Sequence, residues 1–450
     1  MQDKRVIIDS LKKVLSLYNV VHDLKDEYLE VKIEKNLSRI KDKIKVSKDG
    51  FLELNLQVRA NNEYRIYSLN HKISMANIAG SLSDISFICL NCLRVLKSLL
   101  NVYFTENISE IEIYGCLEET IETSVIAIAV GKKQPFAYKT DPVVCAISHM
   151  IHSLNKWSYR TYEGRKIPYS FLVSLNNVDV DNISKICEFL KDDASALLTD
   201  GITSYVEVSD KILYKVASYF DAEQTNDRVP LVPYRFSSFG NVCTGSNLGI
   251  VLTVQGDILF IRKKRIIFAK RNGDWHCYDY DAFNEALFKD VPQMHFDASL
   301  IKIIYLTCLD VAFARTGGCI AICNKDDVKN VKKCINPNDL HKKFYKGTRK
   351  DFNYKRFILE EIVINEAPFY SICRKARQEL LGVDGATVIL TKGDVVTTGA
   401  IMDNKFKNDS DDLHGGARTK IAMKLSEFGV AIKISADGYI ECYKNHIHIY

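Results

Sequence analysis

The sequence predicts an α/β (α+β) protein: a mixed sheet flanked by helices at the C-terminal end, preceded by a β-meander and a separate N-terminal α/β domain. Three observations carry this. The length of 450 residues exceeds one typical domain. Residues 248–278 break into four short apolar runs separated by tight-turn dipeptides. Beyond residue 295, helical and strand-like apolar segments alternate to the end of the chain.

The N-terminal part, residues 1–235, is the most heterogeneous. Leu11, Val14, Leu15, Leu17 and Tyr18 fall on one helix face, and residues 51–58 alternate as a half-buried strand does. Residues 81–100 have helical period. Residues 109–114 and 125–130 are rich in Ile and Val and read as strands, and 188–198 as a helix before the turn at Asp200-Gly201. The polar stretch 221–230, followed by Pro233, is the expected linker.

The second part, 236–294, is expected to be a β-meander extension. Its strands are 248–254, 257–262, 266–270 and 275–278, with turns at Gln255-Gly256 and Asn272-Gly273. The third part spans 295–450. A helix over 298–314 ends at Arg315 and Gly317-Gly318, and a strand follows at 319–323. A basic, aromatic insertion runs through 342–357. Then come a helix near 371–381, a strand at 386–390, a helix at 419–428 and strands at 431–435 and 439–443.

Composition narrows the function. About half the chain is apolar, enough for real cores. The formal net charge of +5 is mild for this length, compatible with an anionic small molecule and short of a dedicated nucleic-acid-binding profile. No signal-peptide pattern is present, and no apolar run reaches the ~18 residues of a membrane span. A cytoplasmic protein is expected, without a membrane partner. The 13 cysteines are odd in number and scattered, which argues against a disulfide framework. Cys89 and Cys92 form a lone C-x-x-C without a second ligand pair, so buried reduced thiols are expected. His149 and His152, one turn apart, lack a third ligand and read as ordinary helix residues. Arg262-Lys263-Lys264-Arg265 reads first as a solvated hairpin turn.

Two segments carry candidate chemistry. In the first, Asp384-Gly385-Ala386 enters an apolar strand directly after a helix. The glycine permits close backbone approach and the carboxylate stands at the mouth of the strand. In the second, Gly415-Gly416-Ala417-Arg418-Thr419-Lys420 opens a helix. Free N–H groups at a helix start, with two cations beside them, favour phosphate.

In order and spacing these segments resemble the diadenylate cyclase domain over roughly residues 295–445. Ala314-Arg315-Thr316-Gly317-Gly318-Cys319-Ile320 matches the family's first helix-to-strand element. Asp384-Gly385-Ala386 matches its Asp-Gly-Ala strand, and Gly416-Ala417-Arg418-Thr419-Lys420 its Gly-Thr-Arg-His-Arg helix start. Residues 430–443 match the closing strands. The likeness is closer to the DNA-integrity-scanning branch, because Ser435-Ala436-Asp437-Gly438 stands where the membrane-linked branch has a Glu-Glu pair. Divergent relatives are nucleotide sensors in bacterial conflict systems.

The resemblance implies an adenine-nucleotide-binding protein. Asp384 would be the catalytic and metal-holding carboxylate. Gly385, Ala386, Gly415, Gly416, Arg418, Thr419 and Lys420 would line the nucleotide. Mg²⁺ or Mn²⁺ would be required if the chain is catalytic. ATP or a cyclic dinucleotide would be the ligand, in a homodimer or higher homo-oligomer, with an effector protein as a further partner. Arg418-Thr419-Lys420 departs from Arg-His-Arg, and Ala417 from the family's threonine. Losing one Arg and one hydroxyl contact costs roughly 2–4 kcal/mol of transition-state stabilisation. That favours a nucleotide sensor of bacterial defence signalling over an active diadenylate cyclase (nucleotidyltransferase), with a nucleic-acid-binding regulator third.

Overall fold

The computed structural model describes residues 2–18, 24–34, 43–46, 51–60, 63–72, 82–106, 110–133, 140–220, 229–289, 298–339, 368–403 and 417–450. The class is α+β, with three sheets among the described residues. The chain divides into two compact units. One comprises Met1–Ser218 with Val242–Asp279, and the other Tyr219–Asn241 with Tyr280–Tyr450.

The first unit opens with α1 (Gln2–Leu17) and an antiparallel sheet of β1 (Glu30–Glu34), β2 (Lys43–Val46), β3 (Phe51–Ala60) and β4 (Glu63–Lys72), in the order β1-β4-β3-β2. Three long helices follow: α2 (Leu82–Glu106), α3 (Glu110–Val130) and α4 (Pro142–Tyr159). Helix α4 is capped by the Asp141 carboxylate, which accepts from the N–H groups of Val143 and Val144. Next come β5 (Tyr169–Ser174), α5 (Val180–Phe189), β6 (Ser204–Val208) and β7 (Ile212–Val216).

The meander is present as β8 (Asn247–Leu252), β9 (Ile258–Arg262), β10 (Arg265–Arg271) and β11 (Asp274–Cys277), but it is not a free-standing extension. β8 pairs antiparallel with β5, so all seven strands form one sheet, β11-β10-β9-β8-β5-β6-β7. The expected boundary at 235/236 therefore gives way to a division in which the meander belongs with the N-terminal residues. Within the sheet, β5 and β6 are parallel and every other neighbouring pair is antiparallel.

Three further expectations are corrected. Residues 109–114 and 125–130 are not strands: the described part of the first and all of the second lie in α3. Val125, Ile126, Ala127, Ile128, Ala129 and Val130 are all buried. A helix end apolar on every side loses its 3.6-residue signature and resembles a core strand. The helix expected at 188–198 ends at Phe189, and a separate short 3-10 turn, Asp193–Leu197, takes a new N-cap from Asp192. Of the expected linker, residues 221–228 lie outside the described residues, while Val229, Leu231 and Val232 are packed core.

The second unit carries most of α6 (Ser237–Val242), then α7 (Tyr280–Lys289), α8 (Ala298–Phe313), β12 (Gly318–Cys323), α9 (Val328–Cys334), α10 (Arg374–Leu381), β13 (Ala386–Leu390), β14 (Val395–Ala400), α11 (Ala417–Leu425), β15 (Gly429–Ile434), β16 (Ile440–Lys444) and β17 (Ile447–His448). The sheet order is β14-β13-β12-β15-β16-β17. β12 and β13 are parallel; β15 returns antiparallel to β12. Cys319, Ala321 and Cys323 share one face of β12 and form a core with Ile421, Ala422 and Leu425 of α11 and Val328 and Val331 of α9. Helix α8, with α10 against it, packs on the sheet as well.

Candidate functional site

The residues before β12 and β13 share one end of the six-stranded sheet, because the two strands are parallel and in register, Ile320 opposite Thr387. This end holds Thr316-Gly317 and Asp384-Gly385. It lies at the amino ends of the two parallel strands, whereas open α/β sheets commonly hold ligands beyond the carboxyl ends. Helix α11 begins here too. Arg418, in its first turn, donates from Nη2 to Asp384 Oδ1 at 3.2 Å. A Cβ added at Gly317, where φ is +64°, would lie 2.7 Å from Arg418 Nη1. Three segments separated by 67 and 34 residues in sequence thus meet around one guanidinium.

The electrostatics of this corner are lopsided. The Asp384 side chain is 94 % exposed and that of Arg418 33 %. An ion pair this open gains little, because water solvates both partners nearly as well. Its geometry is single-pronged, so among the described residues the guanidinium keeps donors for another acceptor. Below it lies the Cys319 thiol, pushed up to about 12 by burial, with Arg418 and Lys433 pulling the other way. That thiol is packed core.

The remaining candidates separate. Gly385 has φ +103°, and a Cβ there would sit 2.5 Å from the Ala400 carbonyl oxygen. The glycine is required by the close approach of its own neighbouring strand, β14, independent of any ligand. Ala386 is fully buried. Thr419 and Lys420 are half-buried on α11. Lys420 is two residues from Arg418, about 200° around the helix, so the two cations leave it on different sides. Gly415, Gly416 and the basic insertion 342–357 lie outside the described residues. Among the described residues no group of three His, Cys, Asp or Glu side chains could hold a metal ion. Asp384 alone does not make a protein-only cation site; a nucleotide's phosphates would have to supply the other oxygens.

Pattern reading missed the network behind this corner. Asp310 on α8 accepts from Arg374 Nε at 2.6 Å and Nη2 at 2.8 Å, and from the N–H of Tyr234 at 2.6 Å. Arg374 Nη2 also donates to the Val232 carbonyl at 2.7 Å. Arg377 donates to the Ile372 carbonyl and to Thr307. Asp310, Arg374 and Arg377 are all buried. Burial pushes the Asp310 carboxyl up, while the Arg374 guanidinium opposes it. This clamp fixes α10, whose end leads into Val383-Asp384, and so sets where the carboxylate emerges. One signal was available: Asp310 interrupts an otherwise apolar helix, and a buried acid requires a cationic partner.

The other sequence candidates resolve simply. Cys89 and Cys92 are buried thiols in α2, not joined in a disulfide. His149 and His152 are exposed on α4. Lys263 and Lys264 form a positive-φ hairpin turn, and Arg262 donates to the Ala129 carbonyl at the end of α3. Among the described residues no helix is long and apolar enough to cross a membrane. No family model and no curated protein matches the chain.

Proposed function

We propose that the second unit binds an adenine nucleotide through its phosphates at the Arg418–Asp384 corner and works as a nucleotide sensor of the diadenylate cyclase type. The observation that carries this is the meeting of Thr316-Gly317, an exposed Asp384 carboxylate and Arg418 around one half-buried guanidinium, three elements that the resemblance names in that order. Arg418 would exchange its weak contact with Asp384 for a phosphate, a charge-assisted bond of higher value. Asp384, released, would face the ribose or a cation bound to the phosphates. Lys420, which leaves α11 on another side, adds long-range attraction and no second prong.

The alternative is catalysis. In that reaction each ribose 3′-oxygen bonds to the α-phosphorus of the other ATP, two pyrophosphates depart and cyclic di-AMP forms. The exposure of Asp384 favours it, because a carboxylate at the surface is accessible to a facing protomer. A nucleic-acid-binding role finds less support: Arg262 of the basic hairpin is engaged with α3.

Titration calorimetry of the full chain with ATP and with cyclic dinucleotides tests the sensor. Binding is expected, with Arg418→Ala weakening it about 10- to 100-fold. Absence of binding to any adenine nucleotide sinks both readings. Cyclic di-AMP and pyrophosphate formed from ATP with Mn²⁺ or Mg²⁺, and abolished by Asp384→Asn, establish the cyclase instead.

A further inference from the structure

Strand β7 is the last strand of the seven-stranded sheet, and no described strand pairs with its outer edge. Its sequence, Ile212-Leu213-Tyr214-Lys215-Val216, is not that of a protected edge. Solvent-facing edges are usually blunted by charge, proline or a bulge. Here Ile212 is 39 % exposed, Leu213 42 %, Tyr214 62 % and Val216 65 %. The lone charge, Lys215, is ion-paired across the sheet with Glu207.

The hydrogen-bond phase of β7 follows from its flanks. Lys211 accepts from the Ser209 N–H at 2.9 Å, and the Ala217 N–H donates to Thr203 at 2.8 Å. β6 and β7 are antiparallel, with Val206 opposite Tyr214. Bonded and non-bonded pairs alternate along such a ladder. Residues 211, 213, 215 and 217 therefore bond inward to β6. Residues 212, 214 and 216 direct their N–H and C=O groups outward. The same three carry large apolar side chains on one face of the sheet.

We propose that this edge pairs with the same edge of a second copy of the chain, antiparallel about a two-fold axis through Tyr214, joining two seven-stranded sheets into one. In that register Tyr214 exchanges both backbone bonds with its counterpart, and Ile212 does so with Val216. Leu213 stands opposite Lys215, and Lys211 opposite Ala217. The two adjacent symmetric registers that keep outward groups facing each other conflict with charge. Centring on Leu213 sets Lys211 against Lys215 twice, and centring on Lys215 sets that lysine against itself. Like charges directly opposed are destabilising. The inference comes from β7 alone and stands apart from the nucleotide reading.

The interface is a single strand pair per copy, so weak self-association is expected, with a dissociation constant on the order of 10–100 μM. Sedimentation velocity of the full chain over a dilution series tests it. Tyr214→Pro removes an outward N–H without breaking a β6 bond, and Val216→Lys places a charge at an exposed position. Each is expected to weaken dimerisation at least tenfold while leaving the circular dichroism spectrum and melting curve as in the parent. Under mild oxidation, Tyr214→Cys is expected to give a covalent dimer linked through the introduced thiols, because paired Cα atoms about 5.5 Å apart lie within disulfide reach. A monomer at every concentration up to the order of 1 mM overturns the proposal and leaves the edge to another protein's strand. So does a dimer that both Tyr214→Pro and Val216→Lys leave intact.

Discussion

Two Asp-Gly turns, one in each unit, show how the same dipeptide serves structure in one place and is left open in the other. Each precedes the second strand of a parallel pair, Asp200-Gly201 before β6 and Asp384-Gly385 before β13. Both glycines have positive φ, +67° and +103°. Both are hemmed in by their own chain: a Cβ at Gly201 would lie 2.3 Å from Pro168 Cβ, and one at Gly385 2.5 Å from the Ala400 oxygen. The aspartates differ. Asp200 accepts from the N–H groups of Ile202, Thr203 and Ser204 and from the hydroxyls of Thr203 and Ser204. Asp384 has, among the described residues, one exposed contact to Arg418. A carboxylate whose lone pairs are spent holds its turn together, and one whose lone pairs are open to solvent can meet a ligand.

If saturation separates structural from functional acids, the largest stability effect belongs to the saturated acid that is also buried. Asp310→Ala removes the bidentate partner of a buried arginine and is expected to cost about 3–5 kcal/mol. A denaturant melt of the second unit measures it, and a cost below about 1 kcal/mol would break the comparison at its strongest point. Next are the glycines. Gly201→Ala and Gly385→Ala each force a side chain into positive φ and a blocked space, and each is expected to cost about 2–3 kcal/mol. Near-equal shifts in melting midpoint would place the difference between the turns in the aspartates alone.

Asp200→Ala comes third, at about 1–2 kcal/mol, since charge-assisted bonds at an exposed turn are partly replaced by water. It also has a pH signature. Several donors lower the Asp200 carboxyl below its ordinary value, against a desolvation that raises it. An acid with a depressed folded-state value stabilises the fold above the unfolded value, near 3.9. That stability is lost as the pH falls through the folded value. Asp200→Asn is expected to flatten the acid limb of stability measured by urea melts below about pH 4. An unchanged limb would mean that the turn is held by something else.

Sequence pattern reached some of these elements and not others, for reasons visible in particular residues. The meander was legible because alternation and turn dipeptides act locally, and Lys263, Lys264, Asn272 and Gly273 all take positive φ in its turns. Its membership in the larger sheet was not legible, because the pairing of Tyr169 with Leu252 joins residues far apart in sequence and leaves no local mark. The 125–130 segment of α3 failed because burial on all sides erases helical period. Thr316-Gly317, Asp384 and Arg418 were each nameable from motif order. Their meeting depends on the parallel pairing of β12 with β13 and on the Asp310–Arg374 clamp, and no window of sequence contains either.

The smallest expected stability change is the one that separates the two turns most sharply. Asp384→Asn keeps the shape of the side chain and removes a charge that is already solvated. Its only described partner, Arg418, is free to be solvated in turn. The change in unfolding free energy is expected to stay within about 0.5 kcal/mol. Function should not be so tolerant. If Asp384 opposes phosphate, removing its charge tightens nucleotide binding by a few-fold while Arg418→Ala weakens it. If it holds a cation bound to the nucleotide, Asp384→Asn weakens binding only when Mg²⁺ or Mn²⁺ is present. Calorimetry with and without the cation distinguishes the two. A variant that melts well below the parent would instead class Asp384 with Asp200, as part of a turn.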